Sequence, residues 1–228
     1  MSRNKQHPGE GKDRIRRPAP FPPIDYDDAQ ELVAALNDSA RKVYVVSDTH
    51  FFHERLWTVL HPTAEGGRDH RNTELLIANW RKLVRYGDVV LHLGDVALGI
   101  PVAEYRSRIG WLPGEIWLLP GNHDRTAEKL EQFRDMGWKL VLPFSWEHAG
   151  KEVCFTHEPI APEQILPQQL NVHGHIHHHP AYSEQYVNCC VEWLGYAPVD
   201  LRQVIRQHIE GVGRESASDP GGFAVGLT

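Results

Sequence analysis

Short apolar runs that end abruptly on Asp, Asn or His recur five times along this chain. A run of this kind is typical of a buried strand that presents polar side chains at its C-terminal end. We therefore expect the five ends to meet at one polar site. The runs, each with the polar residues that follow it, are 43–47 with Asp48 and His50, 89–93 with Asp95, 115–119 with Asn122, His123 and Asp124, 153–156 with His157, and 170–172 with His173, His175 and His177.

Helical spacing of apolar residues lies between and around these runs. From Leu75 to Val84 the apolar residues recur with a period near 3.6, which predicts an amphipathic helix. Asp27–Leu36 combines acidic residues in its first turn with apolar residues at helical spacing, and this predicts a short helix. Further helices are predicted at Pro101–Ile109, at Thr126–Met136 with Thr126 as the cap, and at Pro198–Ile209 with proline near the first turn.

The order of these elements indicates the fold class. Strand and helix alternate in the first part of the chain, which is typical of α/β architecture. The later part has closely spaced strands with few helices between them, which favours a second sheet packed on the first. A four-layer αββα sandwich, with two mixed sheets flanked by helices, accommodates both patterns. The strands are predicted at 41–47, 88–93, 115–119, 138–142, 152–156, 169–173 and 185–192.

The two ends of the chain differ from this pattern. Residues 1–23 are polar, irregular and basic, which predicts a disordered tail, with an arm that binds nucleic acid or a partner as the alternative. Residues 211–228 are rich in Gly, Ser and Asp and predict a flexible C-terminal tail. The folded domain is therefore expected at 24–210. Because no apolar segment follows the basic N-terminus and no apolar run approaches about 18 residues, we expect a cytoplasmic protein without a membrane span.

Composition adds one informative number, which is 15 histidines among 228 residues. Histidine is the commonest metal ligand, and these residues are spread through the chain, so their excess indicates a site. The net charge of -6 gives no general attraction to nucleic acid or anionic lipid. The three cysteines form no CxxC pair, so buried reduced thiols are favoured over a disulfide framework.

Five polar blocks in a fixed order carry a resemblance to a known family. Their order and spacing resemble the calcineurin-like metallophosphoesterases over about Arg41–Leu201. The first block, Ser47–His53, resembles that of the small prokaryotic and phage-type members, where it reads Ser-Asp-Thr-His-Phe-x-His. The blocks are Asp48-x-His50, Gly94-Asp95, Gly121-Asn122-His123-Asp124, His157 and Gly174-His175-Ile-His177.

The resemblance implies a centre of two divalent metal ions bridged by Asp95. It implies that His123 lies beside the metals and faces the leaving group without binding either ion. With His123, Asp95 and Asn122 are expected to form the catalytic set. The family fold is the same four-layer αββα sandwich that the strand pattern favours. The implied ligands are Asp48, His50, Asp95 and His177 for one ion, and Asp95, Asn122, His157 and His175 for the other.

A pair of divalent ions suits the chemistry of a phosphate ester. Such an ester is anionic and repels nucleophiles, so a catalyst must neutralise charge and supply hydroxide near neutral pH. Two ions about 3.5–4 Å apart do both, because they lower the pKa of a bridging water and clamp the phosphoryl oxygens. Nitrogen and oxygen ligands without thiolate favour Mn, Fe, Zn, Ni or Co, and Mn²⁺ is our first choice.

Several positions depart from the family pattern or add to it. In several members, an Asp three residues after the bridging Asp orients the catalytic His, and Leu98 stands there in this chain. The group that orients His123 is therefore missing or comes from elsewhere. Asp124 is not favoured for that role, because adjacent residues at a strand end point in different directions. His53 and Arg125 are candidate substrate contacts, with a surface loop and a helix cap as the respective alternatives.

The leading functional hypothesis is a metal-dependent phosphoesterase that hydrolyses a phosphodiester or a nucleotide-type ester through a hydroxide bridging two metals. A phosphomonoesterase and a nuclease are alternatives on the same site, and only the basic tail supports the nuclease. A non-catalytic binding scaffold would be expected to have lost ligands, whereas this sequence retains all seven. The expected partner is a phosphate-ester or nucleotide substrate.

Overall fold

A computed structural model describes residues 20–54, 56 and 71–210 of the chain, with only the backbone described at 71 and 72. The predicted basic tail lies outside the described residues except for 20–23, and the predicted C-terminal tail at 211–228 lies outside them entirely. Within the described ranges, no helix combines the length and the apolar composition that crossing a bilayer requires.

The described residues form two sheets. In the first sheet the strand order is β4-β3-β2-β1-β9, and in the second it is β5-β6-β7-β8. The strands are β1 Val43–Val46, β2 Val89–His92, β3 Glu115–Leu118, β4 Lys139–Leu140, β5 Phe144–His148, β6 Lys151–Phe155, β7 Gln169–His173, β8 Tyr186–Asn188 and β9 Val199–Asp200.

Each sheet contains both parallel and antiparallel pairs. In the first sheet, β1 to β4 run parallel and β9 pairs antiparallel with β1. In the second sheet, β6, β7 and β8 run parallel and β5 pairs antiparallel with β6. The predicted α/β class with two mixed sheets and flanking helices is therefore confirmed.

The helices begin and end with the signals that the sequence contains. The carboxylate of Asp28 accepts a hydrogen bond from Gln30 N–H, and the hydroxyl of Thr126 accepts one from Lys129 N–H, so both side chains are N-caps. The helices are α1 Ala29–Asn37, α2 Arg71–Leu83, α3 Tyr105–Ile109, α4 Ala127–Asp135 and α5 Leu201–Glu210, with a 3-10 turn at Val102–Glu104.

Alternate residues of β1 enter two different apolar cores, because side chains of a strand point to opposite faces in turn. Val43 and Val45 belong to a core that residues of both sheets share and that also receives α1 and α5. Tyr44 and Val46 belong to a second core between the first sheet and α2, α3 and α4. The first sheet is therefore covered on both faces, which explains its nearly continuous apolar strands.

The helix predicted at Pro198–Ile209 begins only at Leu201, because Val199 and Asp200 pair with β1 as strand β9 instead.

The structure also differs from the predicted elements at β5 and at the strand predicted at 185–192. The sequence pattern does not predict β5, where Trp146 is the one buried residue, as expected for an edge strand paired on one side. The strand predicted at 185–192 ends at Asn188, after which Cys190 forms an isolated bridge with Ser47 of the first sheet. This segment therefore crosses from one sheet to the other, which a continuous apolar run does not reveal.

Arg202 joins the last helix to the end of the first. Its guanidinium donates hydrogen bonds of 2.7–3.1 Å to the backbone carbonyls of Ala35, Leu36, Asp38 and Arg41. The carbonyls at a helix C-terminus have no partner within the helix and carry partial negative charge, so a guanidinium satisfies them well.

Replacement of Arg202 by Met should lower the free energy of unfolding by about 2–3 kcal/mol, because several carbonyls lose a charged donor at once. Urea denaturation followed by circular dichroism measures this change. Arg206→Met is the matched control, since Arg206 is exposed one turn further along α5, and its effect should stay within about 0.5 kcal/mol. Equal stability of the two variants would show that the Arg202 contacts contribute little.

Candidate metal centre

The carboxyl ends of parallel strands from both sheets meet at one place. In the first sheet, β1 ends before Asp48, β2 ends before Asp95, and β3 leads to Asn122. In the second sheet, β6 leads to His157 and β7 leads to His175. Chemistry at the carboxyl edge of parallel strands is the usual arrangement in open α/β sheets. The structure thus brings the predicted polar ends together.

Backbone hydrogen bonds fix these strand ends to each other. Asp48 N–H donates to the Gly94 carbonyl at 2.9 Å, and Gly174 N–H donates to the His157 carbonyl at 2.9 Å. A Cβ atom added at Gly174 would collide with the Ser47 and Asp48 side chains. Glycine is therefore required where the second sheet approaches the first.

Left-handed backbone conformations are concentrated at this site. Eight non-glycine residues of the described chain have positive φ. Such conformations are uncommon for residues with a side chain and persist where the surroundings impose them, often at functional sites. Five of the eight are predicted metal ligands, with φ between 38° and 72°, namely Asp48, His50, Asp95, His175 and His177.

Two groups of ligand atoms result from this arrangement. Within each group, the nitrogen and carboxylate oxygen atoms lie within 4.8 Å of one another, so each group could hold a metal ion. We call Asp48, His50 and His177 the first ligand group, and Asp95, His157 and His175 the second ligand group.

The spacing of these atoms fits a cation. Ligand atoms about 2.1 Å from one ion lie about 3.0 Å apart at right angles and at most about 4.2 Å apart. In the first ligand group, Asp48 Oδ1 lies 3.8 Å from His50 Nε2 and 3.9 Å from His177 Nε2. In the second, Asn122 Oδ1 lies 3.0 Å from both His157 Nε2 and His175 Nδ1. Asn122 therefore adds an oxygen to the second ligand group.

Asp95, a member of the second ligand group, also lies close to the first. Its Oδ2 atom is 3.6 Å from His50 Nε2 and 3.5 Å from His157 Nε2. Its other oxygen, Oδ1, accepts a hydrogen bond of 2.9 Å from the backbone N–H of His123. Oδ2 alone therefore faces both ligand groups, and Oδ1 fixes the orientation of the carboxylate.

The carboxylate of Asp48 is oriented in a similar way. Its Oδ2 accepts hydrogen bonds from Ser47 Oγ at 2.6 Å, from His175 N–H at 2.8 Å and from the Cys190 thiol at 3.3 Å. Among the described residues, its buried Oδ1 accepts no hydrogen bond, and the buried Nε2 of His50 beside it has no hydrogen-bond partner either. Unpartnered buried polar atoms are costly, and a cation between them would satisfy both. The residues present therefore fit a divalent ion.

The electrostatics of the centre favour positive charge. Burial raises the pKa of Asp48, but the neighbouring imidazoles of His50, His157 and His177 outweigh it and lower the pKa, so the carboxylate stays ionised. Burial lowers the pKa of His157, but Asp95 and Asp48 outweigh it and raise this pKa to about 9. The carboxylates that draw a proton to His157 would draw a cation equally.

Hydrogen bonds select the nitrogen that His157 offers. Its Nδ1 lies 2.7 Å from the Leu93 carbonyl oxygen, which can only accept, so Nδ1 carries the hydrogen. The neutral ring then has its lone pair on Nε2, which faces Asp95 and Asn122. A histidine fixed in this way is typical of metal ligands.

Asp124 organises the loops and does not orient His123. Its buried carboxylate accepts hydrogen bonds from the backbone N–H groups of Asp95, Val96 and Gly121 at 2.6–3.2 Å. Burial and the charge of Asp95 raise the pKa of Asp124 to about 6, while the N–H donors oppose this. In the described part of the chain, no side chain accepts a hydrogen bond from the His123 ring, so its orienting group stays unassigned.

The two predicted substrate contacts have different surroundings. The His53 ring lies 5.7 Å from the His50 ring, next to the first ligand group. The Arg125 side chain is 7% exposed, pairs with Glu158 at 3.3 Å and covers the Phe21 ring at 4.3 Å. A phosphate contact by Arg125 would compete with these partners, and both substrate contacts stay predictions.

Sequence analysis missed one carboxylate at the centre. His177 Nδ1 lies 2.9 Å from Oε1 of Glu192, a buried residue that follows β8. The signal was present in the sequence, since the run Tyr186–Val191 ends on a polar residue, Glu192, as the five other runs end on Asp, Asn or His. The family pattern contains no block at this position, so the resemblance alone does not connect Glu192 with the site.

Comparisons with known proteins agree with this geometry. An uncharacterised protein of Methanocaldococcus jannaschii is 30% identical over 178 residues, which cover 74% of this chain and 92% of that protein. The crystal structure of a protein of unknown function from Aquifex aeolicus matches with a TM-score of 0.57 and 25% identity, over 73% of this chain and 98% of that one. The family model for calcineurin-like phosphoesterases matches residues 41–208. Because this match spans most of the chain and contains both ligand groups, the chain belongs to the calcineurin-like phosphoesterases, which are metal-dependent hydrolases.

Proposed function

We propose that the protein hydrolyses phosphodiesters or nucleotide-type phosphate esters with two divalent metal ions. The observation that carries the proposal is the position of Asp95 Oδ2, 3.6 Å from His50 Nε2 and 3.5 Å from His157 Nε2. One carboxylate shared by two ligand groups suits a two-metal phosphoesterase. Mn²⁺ is the proposed ion, with Fe, Zn, Ni or Co as alternatives. The proposed ligands are Asp48, His50, Asp95 and His177 for one ion, and Asp95, Asn122, His157 and His175 for the other.

The bound ions would neutralise the ester and acidify a water molecule, so that hydroxide is available near neutral pH. The chain contributes the orientation of the ligands before substrate arrives. In both Asp48 and Asp95, one carboxylate oxygen accepts hydrogen bonds from the chain, and the second oxygen of the same carboxylate points into the centre. Such preorganisation lowers the cost of stabilising charge in the transition state.

His123 is the proposed group at the leaving oxygen. Its side chain is 47% exposed, and its Nε2 lies 4.0 Å from Asp95 Oδ2. Its backbone is fixed from two sides, because its N–H donates to Asp95 Oδ1 and its carbonyl accepts from Lys129 Nζ at 2.6 Å. Burial lowers the pKa of His123. In the proposed role, its ring would stabilise charge on the leaving oxygen or protonate it, at the open side of the centre.

A cavity beside the centre supports a phosphodiester or nucleotide-type ester as the substrate. The cavity has a volume of about 630 Å³ and is lined by the loop from His175 to Tyr182. This volume is within the usual range for small-molecule sites, about 300–1,000 Å³. Tyr182 is 57% exposed and packs edge-on against Tyr186, with ring centroids 5.4 Å apart. An exposed aromatic ring held in this way offers a face on which a nucleobase could stack.

Hydrolysis after metal removal tests the proposed function. Protein stripped with EDTA should be inactive, and MnCl₂ should restore cleavage of bis-p-nitrophenyl phosphate at a higher rate than cleavage of p-nitrophenyl phosphate. Asp95→Ala is the control, since it should abolish both Mn²⁺ binding and turnover. Faster cleavage of the monoester would instead support a phosphomonoesterase. If no ester is cleaved with any of the five metals, the proposal is overturned.

Replacement of His123 by Ala should leave Mn²⁺ binding intact and lower kcat on an unactivated diester by about 10²–10⁴, the usual contribution of a positioned proton donor. On bis-p-nitrophenyl phosphate the loss should be much smaller, because p-nitrophenolate leaves without protonation. Steady-state kinetics on both esters, with calorimetric titration of Mn²⁺, gives this comparison. Full turnover of the variant on the unactivated diester would contradict the assigned role.

Replacement of Tyr182 by Ala should raise KM for thymidine 5′-p-nitrophenyl phosphate about 5- to 150-fold, because stacking on a base contributes about 1–3 kcal/mol. KM for methyl p-nitrophenyl phosphate, which has no base, should stay unchanged. Tyr86→Ala is the matched control, since Tyr86 is 89% exposed in the turn between α2 and β2. Equal KM changes for both substrates would argue against a stacking role.

A further inference from the structure

Glu192 is a buried carboxylate, and only one of its two oxygens has a hydrogen-bond partner among the described residues. The residue is 4% exposed and follows β8 in the segment Asn188–Trp193. Its Oε1 lies 2.9 Å from His177 Nδ1, and its Oε2 is buried without a hydrogen-bond partner in the described chain. A buried carboxylate costs considerable free energy unless nearby positive charge compensates it. A cation close to Glu192 would offset this cost.

The segment Asn188–Trp193 holds the backbone of His177 as well as its ring. The carbonyl of His177 accepts hydrogen bonds from Asn188 Nδ2 at 2.9 Å and from Trp193 Nε1 at 2.8 Å. The thiol of Cys190, in the same segment, donates to Asp48 Oδ2 at 3.3 Å. This segment thus contacts the side chains of two residues of the first ligand group, His177 and Asp48.

We infer that Glu192 is a positioning residue for the cation at the first ligand group. A carboxylate oxygen can only accept, so the hydrogen of the His177 ring lies on Nδ1 and the lone pair lies on Nε2. That Nε2 is the atom 3.9 Å from Asp48 Oδ1. The inference rests on the proposed function, because it requires a cation at this group.

The effect of Glu192 is specific to one of the two ions. In the second ligand group, the corresponding position on His157 is taken by the neutral carbonyl of Leu93, at 2.7 Å from Nδ1. Glu192 adds a full negative charge behind His177, whereas Leu93 adds only a dipole. Carboxylate partners of this kind raise the basicity of the imidazole they contact. Loss of Glu192 should therefore lower the affinity for the ion at the first ligand group and leave the affinity for the other ion unchanged.

Titration of metal-stripped protein with MnCl₂ tests this inference. The wild-type chain should bind two ions. Glu192→Leu should bind one of them about 10–100-fold more weakly, the usual effect of losing such a partner, and the other within about twofold of wild type. Glu192→Gln keeps an acceptor oxygen and loses the charge, so its affinity should lie between those of wild type and Glu192→Leu. Isothermal calorimetry, with elemental analysis after dialysis, measures both affinities and the stoichiometry.

The controls separate positioning from a structural role. Glu147→Gln removes one charge from the exposed face of β5 and should bind both ions as wild type does. Urea denaturation of the metal-free Glu192 variants measures their stability separately from metal binding, and loss of the 2.9 Å contact with His177 should lower it. Equal weakening of the binding of both ions, or wild-type affinity in both variants, would overturn the inference. If the wild-type chain binds no ions, the proposed function itself fails.

Discussion

The position of one carboxylate oxygen depends on how the two sheets pack against each other. Asp95 Oδ2 faces His50 from the loop after β1 and His157 from the end of β6 at nearly equal distances, 3.6 and 3.5 Å. A shift of one sheet against the other by even an ångström would remove it from one of these histidines. The apolar core shared by both sheets fixes the spacing of the layers, and Gly174 allows the strand ends to approach closely. Close packing thus supplies the accuracy that the centre needs.

Burial of the polar ligand side chains lowers the stability of the fold that positions them. Asp48, His50 and Asp95 are nearly completely buried at the edge of two apolar cores, and several of their polar atoms have no hydrogen-bond partner among the described residues. Taking such groups from water costs free energy that the surrounding core must offset. A cation bound here would recover part of this cost, so metal binding would also stabilise the fold. Residues at a little distance, such as Asp124 and Arg202, hold the framework by satisfying backbone groups.

Much of this architecture could be predicted from the sequence. The apolar runs that end on Asp, Asn or His carry strong local signals, because strand period and ligand chemistry coincide in them. β5 could not be predicted in that way, since one buried tryptophan in five residues gives little periodicity. The surroundings of Arg125 could not be predicted either, because its contacts with Phe21 and Glu158 join distant parts of the sequence. The role of Asp124 depends on three backbone N–H groups whose convergence exists only in the folded chain.

The left-handed backbone at Asp48, His50, Asp95, His175 and His177 limits how this centre could be redesigned for another metal. Asp, Asn and His tolerate that conformation better than most residues, whereas branched or bulky side chains pay about 1–2 kcal/mol at each position. A designer who wished to add a longer carboxylate or a thiolate would have to rebuild the loops first. Evolution of metal preference in this scaffold is therefore expected to proceed through the residues behind the ligands, where the backbone is ordinary.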